Sequence, residues 1–135
     1  MVSEDPYLRG QFQDRYKITN DPAMRRVDRT VIGADYGSCS YTTRDQADQL
    51  AELLILNEDM LLLDVGSGAG WPGIYLAEKT GCSVVLLDPT EEGMVIAAER
   101  SATDGVAAAA VVALGDALPF RDGVFDAATS SDVFC

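Results

Sequence analysis

Leu61-Leu62-Leu63-Asp64-Val65-Gly66-Ser67-Gly68-Ala69-Gly70-Trp71-Pro72-Gly73 is the stretch whose reading decides the fold. A short apolar run ends in an acid, passes through glycines at alternate positions and opens an amphipathic segment, which is the order of a strand, a tight turn and a helix start. Glycine has no Cβ, so it accepts positive φ and lets a ligand lie against the main chain. A helix that follows offers unpaired N–H groups and the positive end of its dipole. Together these features predict a nucleotide-binding turn.

Working outward, Met60 to Val65 is apolar on both faces, as suits a central parallel strand covered by helices. Pro72 falls in the first turn of the next helix, whose apolar face continues through Ile74, Leu76 and Ala77 until Gly81 stops it. Ser83 to Leu87 is a second apolar strand closing on Asp88. Thr90 is placed to cap the following helix, with Glu91 and Glu92 in its first turn and Asp104-Gly105 at its end. Ala107 to Leu114 reads as a buried strand because Val111, Val112 and the abrupt Gly115-Asp116 outweigh the alanines. Asp122-Gly123 is a turn, and Val124 to Ser130 is a fourth strand. The order predicts an α/β fold with a Rossmann-like, doubly wound, mostly parallel sheet.

Upstream, Thr43 and Gln46 form a capping box, and Ala47, Leu50, Leu53 and Leu54 recur at helical spacing, which predicts a helix from about Arg44 to Leu56 lying on the sheet. Asp35 to Thr43 has a loop composition. Residues 1–34 alternate acids, bases and aromatics without a clear period and read as an arm with one or two short helices, in which Arg25, Arg26, Asp28 and Arg29 pair locally. The organisation is therefore an arm and loop over residues 1–43 and an α/β domain over 44–135.

A chain of 135 residues, 47% apolar, suits one domain with a real core. No run of about 18 apolar residues occurs, so a membrane span is not expected. The acidic start Met-Val-Ser-Glu-Asp-Pro lacks the basic and apolar regions of a secretory signal, which places the protein in the cytoplasm. Cys39, Cys82 and Cys135 are far apart and there is no histidine, so neither a zinc cluster nor a Ser/His/Asp or Cys/His hydrolase is expected. The net charge of −12 disfavours a nucleic acid or an anionic membrane and favours a small-molecule substrate. The same charge also serves solubility alone.

Ligands of open α/β sheets sit beyond the carboxyl ends of the strands, and the notable residues fall at such ends. Asp88 lies 18 residues beyond Gly70, about where an acid accepts hydrogen bonds from the ribose hydroxyls of a nucleoside. Asp116, in Gly-Asp-Ala-Leu-Pro-Phe, is placed to receive the adenine amine, with Leu118 and Phe120 over the ring. Gly68, Gly70 and Gly73 also satisfy the dinucleotide pattern Gly-x-Gly-x-x-Gly. Asp64 just before the first glycine, Asp116 as a third acid and the lack of a base near Asp88 argue instead for a cationic ligand.

Four ordered segments carry a resemblance: Leu-Asp-Val-Gly-Ser-Gly-Ala-Gly at 63–70, Asp-Pro-Thr-x-x-Gly-Met at 88–94 followed by Ala97 and Arg100, Gly-Asp-Ala-Leu-Pro-Phe at 115–120 and Phe-Asp-Ala-Ala-Thr-Ser-Ser at 125–131. In these, the chain resembles the class I S-adenosylmethionine-dependent methyltransferases. The likeness is to the small-molecule type related to ubiquinone and menaquinone biosynthesis (methyltransferase domain type 11). The resemblance implies S-adenosylmethionine as cofactor. Asp64 and the loop Gly66, Ser67, Gly68 and Gly70 would hold its methionine part, and Asp88 its ribose. Pro89 and Met94 would pack by the adenine, Asp116 with the Ala117 backbone would read its edge, and the Ser130 backbone would approach the amino-acid end. Thr90 stands where the family often has serine and should keep the helix cap.

Methyl transfer from a sulfonium mainly requires alignment and exclusion of water, and no metal. With no histidine the general base is unassigned; Tyr36, Tyr41 and Asp132 are candidates, Tyr41 reading as a packing or cofactor-cover residue before it reads as a base. The family's sheet has seven strands, whereas this sequence supplies about four and stops after the fourth. That reading leaves an apolar edge strand open to self-association or a partner chain. The preferred reading is a small-molecule methyltransferase or its cofactor-binding portion. A non-catalytic cofactor-fold module completed by a partner chain, and a nicotinamide-dependent oxidoreductase, remain open.

Overall fold

The two apolar runs that reach Asp64 and Asp88 lie side by side as parallel strands β1 (Leu61–Val65) and β2 (Ser83–Asp88) at the centre of a computed structural model that describes residues 6–37 and 40–133. The acidic start at residues 1–5, and Cys39 and Cys135, lie outside the described residues. Strands β3 (Ala108–Val112) and β4 (Ala127–Thr129) flank the central pair, giving the parallel order β3-β2-β1-β4. The register sets Asp64 opposite Leu86 on one side and Thr129 on the other. Strand order reverses at β1, so the carboxyl ends of β1 and β4 form the switch point where such sheets bind ligands.

Helix α4 (Gly73–Thr80) connects β1 to β2, and α5 (Glu91–Asp104) connects β2 to β3. Both crossovers step the same way across the sheet, so right-handed connections bring the two helices to one face, where they pack on each other. Leu62, Val84 and Leu86 project from that face into one cluster with Ile74, Leu76, Met94 and Ala97. Helix α3 (Arg44–Leu53) packs on α4, and α1 (Pro6–Lys17) packs on α5. A further helix, α2 (Pro22–Val31), leads to Ile32 and Tyr36, which enter the same core, so the arm and the sheet share one interior.

The capping box forms as expected, with the Thr43 hydroxyl accepting from Gln46 N and the Gln46 side chain accepting from Thr43 N. Other boundaries moved for local reasons. Helix α3 ends at Leu53 because Ile55 turns to φ 53°, which leaves Leu53 78% exposed rather than on the sheet. Pro72 is the cap before α4, not part of its first turn. Strand β4 is three residues long, since Phe125 leaves the ladder to pack edge-on against Phe120, with ring centroids 5.0 Å apart. The Phe120 ring is thereby committed to Phe125. Residues 113–126 return from β3 to β4 in turns and coil, and no described helix is long and apolar enough to cross a membrane.

Candidate functional site

The glycine turn presents acceptors, and the N–H groups of Gly66, Ser67, Gly68 and Gly70 are already used. Leu87 O accepts from both Gly66 N and Ser67 N, at 2.7 and 3.0 Å, while Gly70 N donates to Ser67 O. Gly68 N donates to Asp88 Oδ2 at 3.0 Å, and Gly73 N, the first of α4, donates to Asp64 Oδ2 at 2.9 Å. The helix start that was expected to meet a ligand therefore meets the Asp64 carboxyl. A pyrophosphate needs free N–H groups at this point, and the turn amides and the helix's first N–H are spent inside the protein. These engaged amides disfavour a dinucleotide pyrophosphate at the Gly-x-Gly-x-x-Gly match.

The glycines divide by what they face. A Cβ on Gly73 would stand 2.5 Å from Asp64 Oδ2, and one on Gly70 would stand 2.3 Å from the Ile74 side chain, so these two make room for packing. Gly66 faces Val133, and Gly68, at φ 50°, faces the Tyr16 hydroxyl.

Asp64 is buried, and among the described residues its Oδ1 has no hydrogen-bond partner. Burial pushes its carboxyl up to about 8; the Gly73 bond works against this, and the charge of Asp88 adds to it. The Ser67 hydroxyl is a second buried polar group without a partner among the described residues. Asp88 is also buried, which raises its pKa, while bonds from Thr90 and Gly68 hold the shift back. Its Oδ1 accepts from Thr90 N and Thr90 Oγ1, at 2.9 and 2.6 Å. The Thr90 hydroxyl therefore orients Asp88 and does not cap α5, where no side-chain cap bond forms. The orphaned Asp64 oxygen and the Ser67 hydroxyl fit a ligand carrying both a cationic end and an acceptor.

The other residues marked in the sequence fall into two sets. Asp116, Ala117 and Leu118 are exposed in the loop after β3, which is tied to the site by Ala113 N donating to Asp88 O at 3.1 Å. Pro89 is half-buried just beyond β2, and Ser130 is exposed beyond β4, its hydroxyl donating to Val65 O. Met94 is buried in the core cluster, and Gly70 is turned to that same interior. Asp64, Gly66, Ser67, Gly68 and Asp88 are the ones the fold draws together.

Residues 62–135 match the family described as "Methyltransferase domain", more than half of the chain. The chain belongs to this methyltransferase domain family. It is 36% identical over 81 residues to sarcosine/dimethylglycine N-methyltransferase of Halorhodospira halochloris, covering 58% of this chain and 29% of that one. It is 32% identical over 127 residues to malonyl-[acyl-carrier protein] O-methyltransferase of Geobacter sulfurreducens, covering 90% of this chain and 43% of that one. A solved S-adenosylmethionine-dependent methyltransferase from Thiobacillus denitrificans, in complex with S-adenosylhomocysteine, is 25% identical with a TM-score of 0.55, over 65% of this chain and 36% of that one. The chain thus spans less than half the length of these relatives. The match is to the family as a whole.

Within this methyltransferase domain the residues between the arm and the sheet were the least legible in the sequence. Trp71, next to the glycine turn, donates from Nε1 to Thr42 O and packs between Tyr36 and Tyr75, at 5.0 and 5.3 Å. Arg100 donates to Ala69 O and Tyr36 O and lies 4.6 Å over the Tyr36 ring, strapping the arm to the turn. Tyr36 is therefore core, and burial raises its hydroxyl well above the ordinary range, which removes it as a base. Asp132 is also committed, because its Oδ2 accepts from Ser40 Oγ, Tyr41 N, Thr42 N and Thr42 Oγ1. Burial works to raise Asp132, and those bonds together hold it below the usual carboxylate range. Tyr41 is 84% exposed. It borders a groove of about 350 Å³ between α3 and the end of β4, lined also by Thr42, Gln46, Leu50, Ser130 and Asp132.

Proposed function

We propose that this methyltransferase domain binds S-adenosylmethionine over its glycine turn and serves the methylation of a small molecule. The observation that carries the reading is the inverted polarity of the turn: its amides are spent on Leu87 O and Asp88, and what remains is the orphaned oxygen of Asp64 beside a buried Asp88. Such a site disfavours phosphate and favours a ligand with cationic and hydroxyl donors. The likeness to a methyltransferase solved with S-adenosylhomocysteine supports the same cofactor. When bound, the sulfonium supplies a methyl group that passes in line to a nucleophile as positive charge disperses.

Around it, Asp64 and the chain from Gly66 to Gly68 hold the methionyl end. Asp88 has three acceptor directions filled and about one free for a ribose hydroxyl. Pro89, Asp116, Ala117 and Leu118 border the adenine side, and Ser130 borders the amino-acid end. Met94 and Gly70 act from beneath, by packing. The groove beside β4, with polar walls and Leu50, suits a small acceptor of mixed polarity. The two relatives named for their acceptors differ in them, one a small amine and one a carrier-bound acid, so the part they share with this chain does not choose the acceptor. Cys82, a buried free thiol, is compatible with the cytoplasm.

Calorimetry of the chain with S-adenosylhomocysteine and with NAD tests this reading. Binding of the first at micromolar concentration and none of the second is the expected result; NAD binding without S-adenosylhomocysteine binding would overturn it.

A further inference from the structure

Helix α2 is amphipathic in the reverse sense. On an ordinary surface helix the apolar stripe faces the core and the charges face water. Here Asp28 is buried, whereas Val27 and Val31, neighbours on one face, are 51% and 61% exposed. The inward side is held by other residues. Arg25 Nε and Arg29 Nη1 both donate to the Asp35 carboxylate, at 2.6 Å each, and Ile32 enters the core just past the helix. Valine is among the weaker helix formers and gains nothing from water, so neither local structure nor the described packing accounts for two of them here.

Charge marks the same face. In a chain of net charge −12 with ten basic residues, the ten residues of α2 carry three arginines, and their one acid is the buried Asp28. Asp35 offsets one of the two arginines that it bridges. Arg26, next to Val27, is exposed, and no acid among the described residues pairs with it.

An apolar stripe edged by arginine fits a partner of the opposite pattern. At physiological salt the Debye length is about 8 Å, so the remote acids of this chain are screened and a partner touching α2 meets its local charge. A membrane is the poorer fit, because interfacial helices bury large leucine, phenylalanine or tryptophan side chains, whereas α2 offers two valines. A ten-residue helix is about 15 Å long, which is small beside the roughly 1,200 Å² of a stable interface and suits a transient contact.

We propose that the outer face of α2 is a docking surface for an acidic protein, whose carboxylates meet Arg26 and Arg29 while its apolar side chains cover Val27 and Val31. The surface uses none of the residues assigned to the cofactor, so it stands apart from the proposed function.

The test titrates the full chain, by amide NMR, with a synthetic helical peptide that carries leucine on one face and glutamate on the other. The peptide should shift the amides of residues 22–31 first and should bind more weakly as salt is added. The same peptide with lysine in place of glutamate should not bind. Arg26→Ala, and Val27→Ser combined with Val31→Ser, should each weaken the acidic peptide by about tenfold or more without altering the spectrum of the sheet. Arg121→Ala, at an exposed arginine far along the chain, should leave binding unchanged. No binding, equal binding of the two peptides, shifts centred outside α2, or an equal loss from Arg121→Ala would overturn the proposal. It would also be overturned if the α2 substitutions abolished binding of the chain to phosphatidylserine vesicles, which would make the face a membrane site. A low-salt dimer lost through the same substitutions would overturn it too, by making the occupant a second copy.

Discussion

A single carboxyl illustrates how this site stores its polarity. Asp64 was legible in the sequence as a strand-ending acid before a glycine turn, but its protonation was not, because that depends on Gly73 and Leu86 closing over it in three dimensions. Its folded pKa of about 8 lies above the unfolded value of about 4. Between those values the folded state keeps a proton that the unfolded state has lost, so this group's contribution to stability falls as pH rises through the window. Asp64→Asn keeps an oxygen for Gly73 N and cannot ionise. The variant should therefore melt above the unmodified protein at pH 8.5, with the gap shrinking toward pH 5, while its affinity for S-adenosylmethionine falls. Thermal melts across this range decide it, and a gap independent of pH would show that Asp64 does not carry the titration. The placement of Tyr16 was illegible for a different reason: α1 has no clear apolar stripe, and the phenol meets Gly68 and Gly93 only in the folded chain.

At the level of elements, β1, β2, α4 and α5 were readable because buried parallel strands are continuously apolar and their helices end at glycine. Gly81 and Gly105 indeed close α4 and α5 in the left-handed conformation. The loop from 40 to 43 was read as turn and cap, with Tyr41 as a candidate base or cofactor cover, yet it is the piece that ties the start of α3 to the end of β4. Asp132 gathers its donors through one oxygen at φ 59°, and Trp71 holds Thr42 O from the other side. Asp132→Gly tolerates that backbone and removes the acceptor. Hydrogen exchange at the Tyr41 and Thr42 amides should quicken by about ten- to a hundredfold, the equivalent of bonds to a charged group, while Gly66 to Gly68 stay protected. Unchanged exchange at Tyr41 and Thr42 would mean that Trp71 alone fixes the loop.

Across the whole molecule, charge sets the conditions under which these parts hold together. A net charge of −12 pushes the folded chain apart, and the visible ion pairs offset little of it. Lys17–Asp14, Arg25–Asp35, Arg29–Asp35 and Lys79–Asp48 are all substantially exposed, and solvent-screened pairs of that kind contribute little. Salt should therefore screen more repulsion than attraction, and the melting temperature should rise from about 0.02 M to about 0.5 M NaCl, where the Debye length shrinks from tens of ångströms to a few. The same repulsion acts between copies. Among the described residues nothing pairs with the outer side of β4, and exposed Leu53 and Ile55 follow on α3 and its exit. An open strand edge near apolar side chains favours pairing once charge no longer opposes it. Light scattering on the same salt series should then show a monomer at low salt and growing association at high salt, with the melting temperature rising even at concentrations too dilute to associate. A melting temperature that falls with added salt would reverse the balance argued here and make the exposed ion pairs the dominant electrostatic contribution.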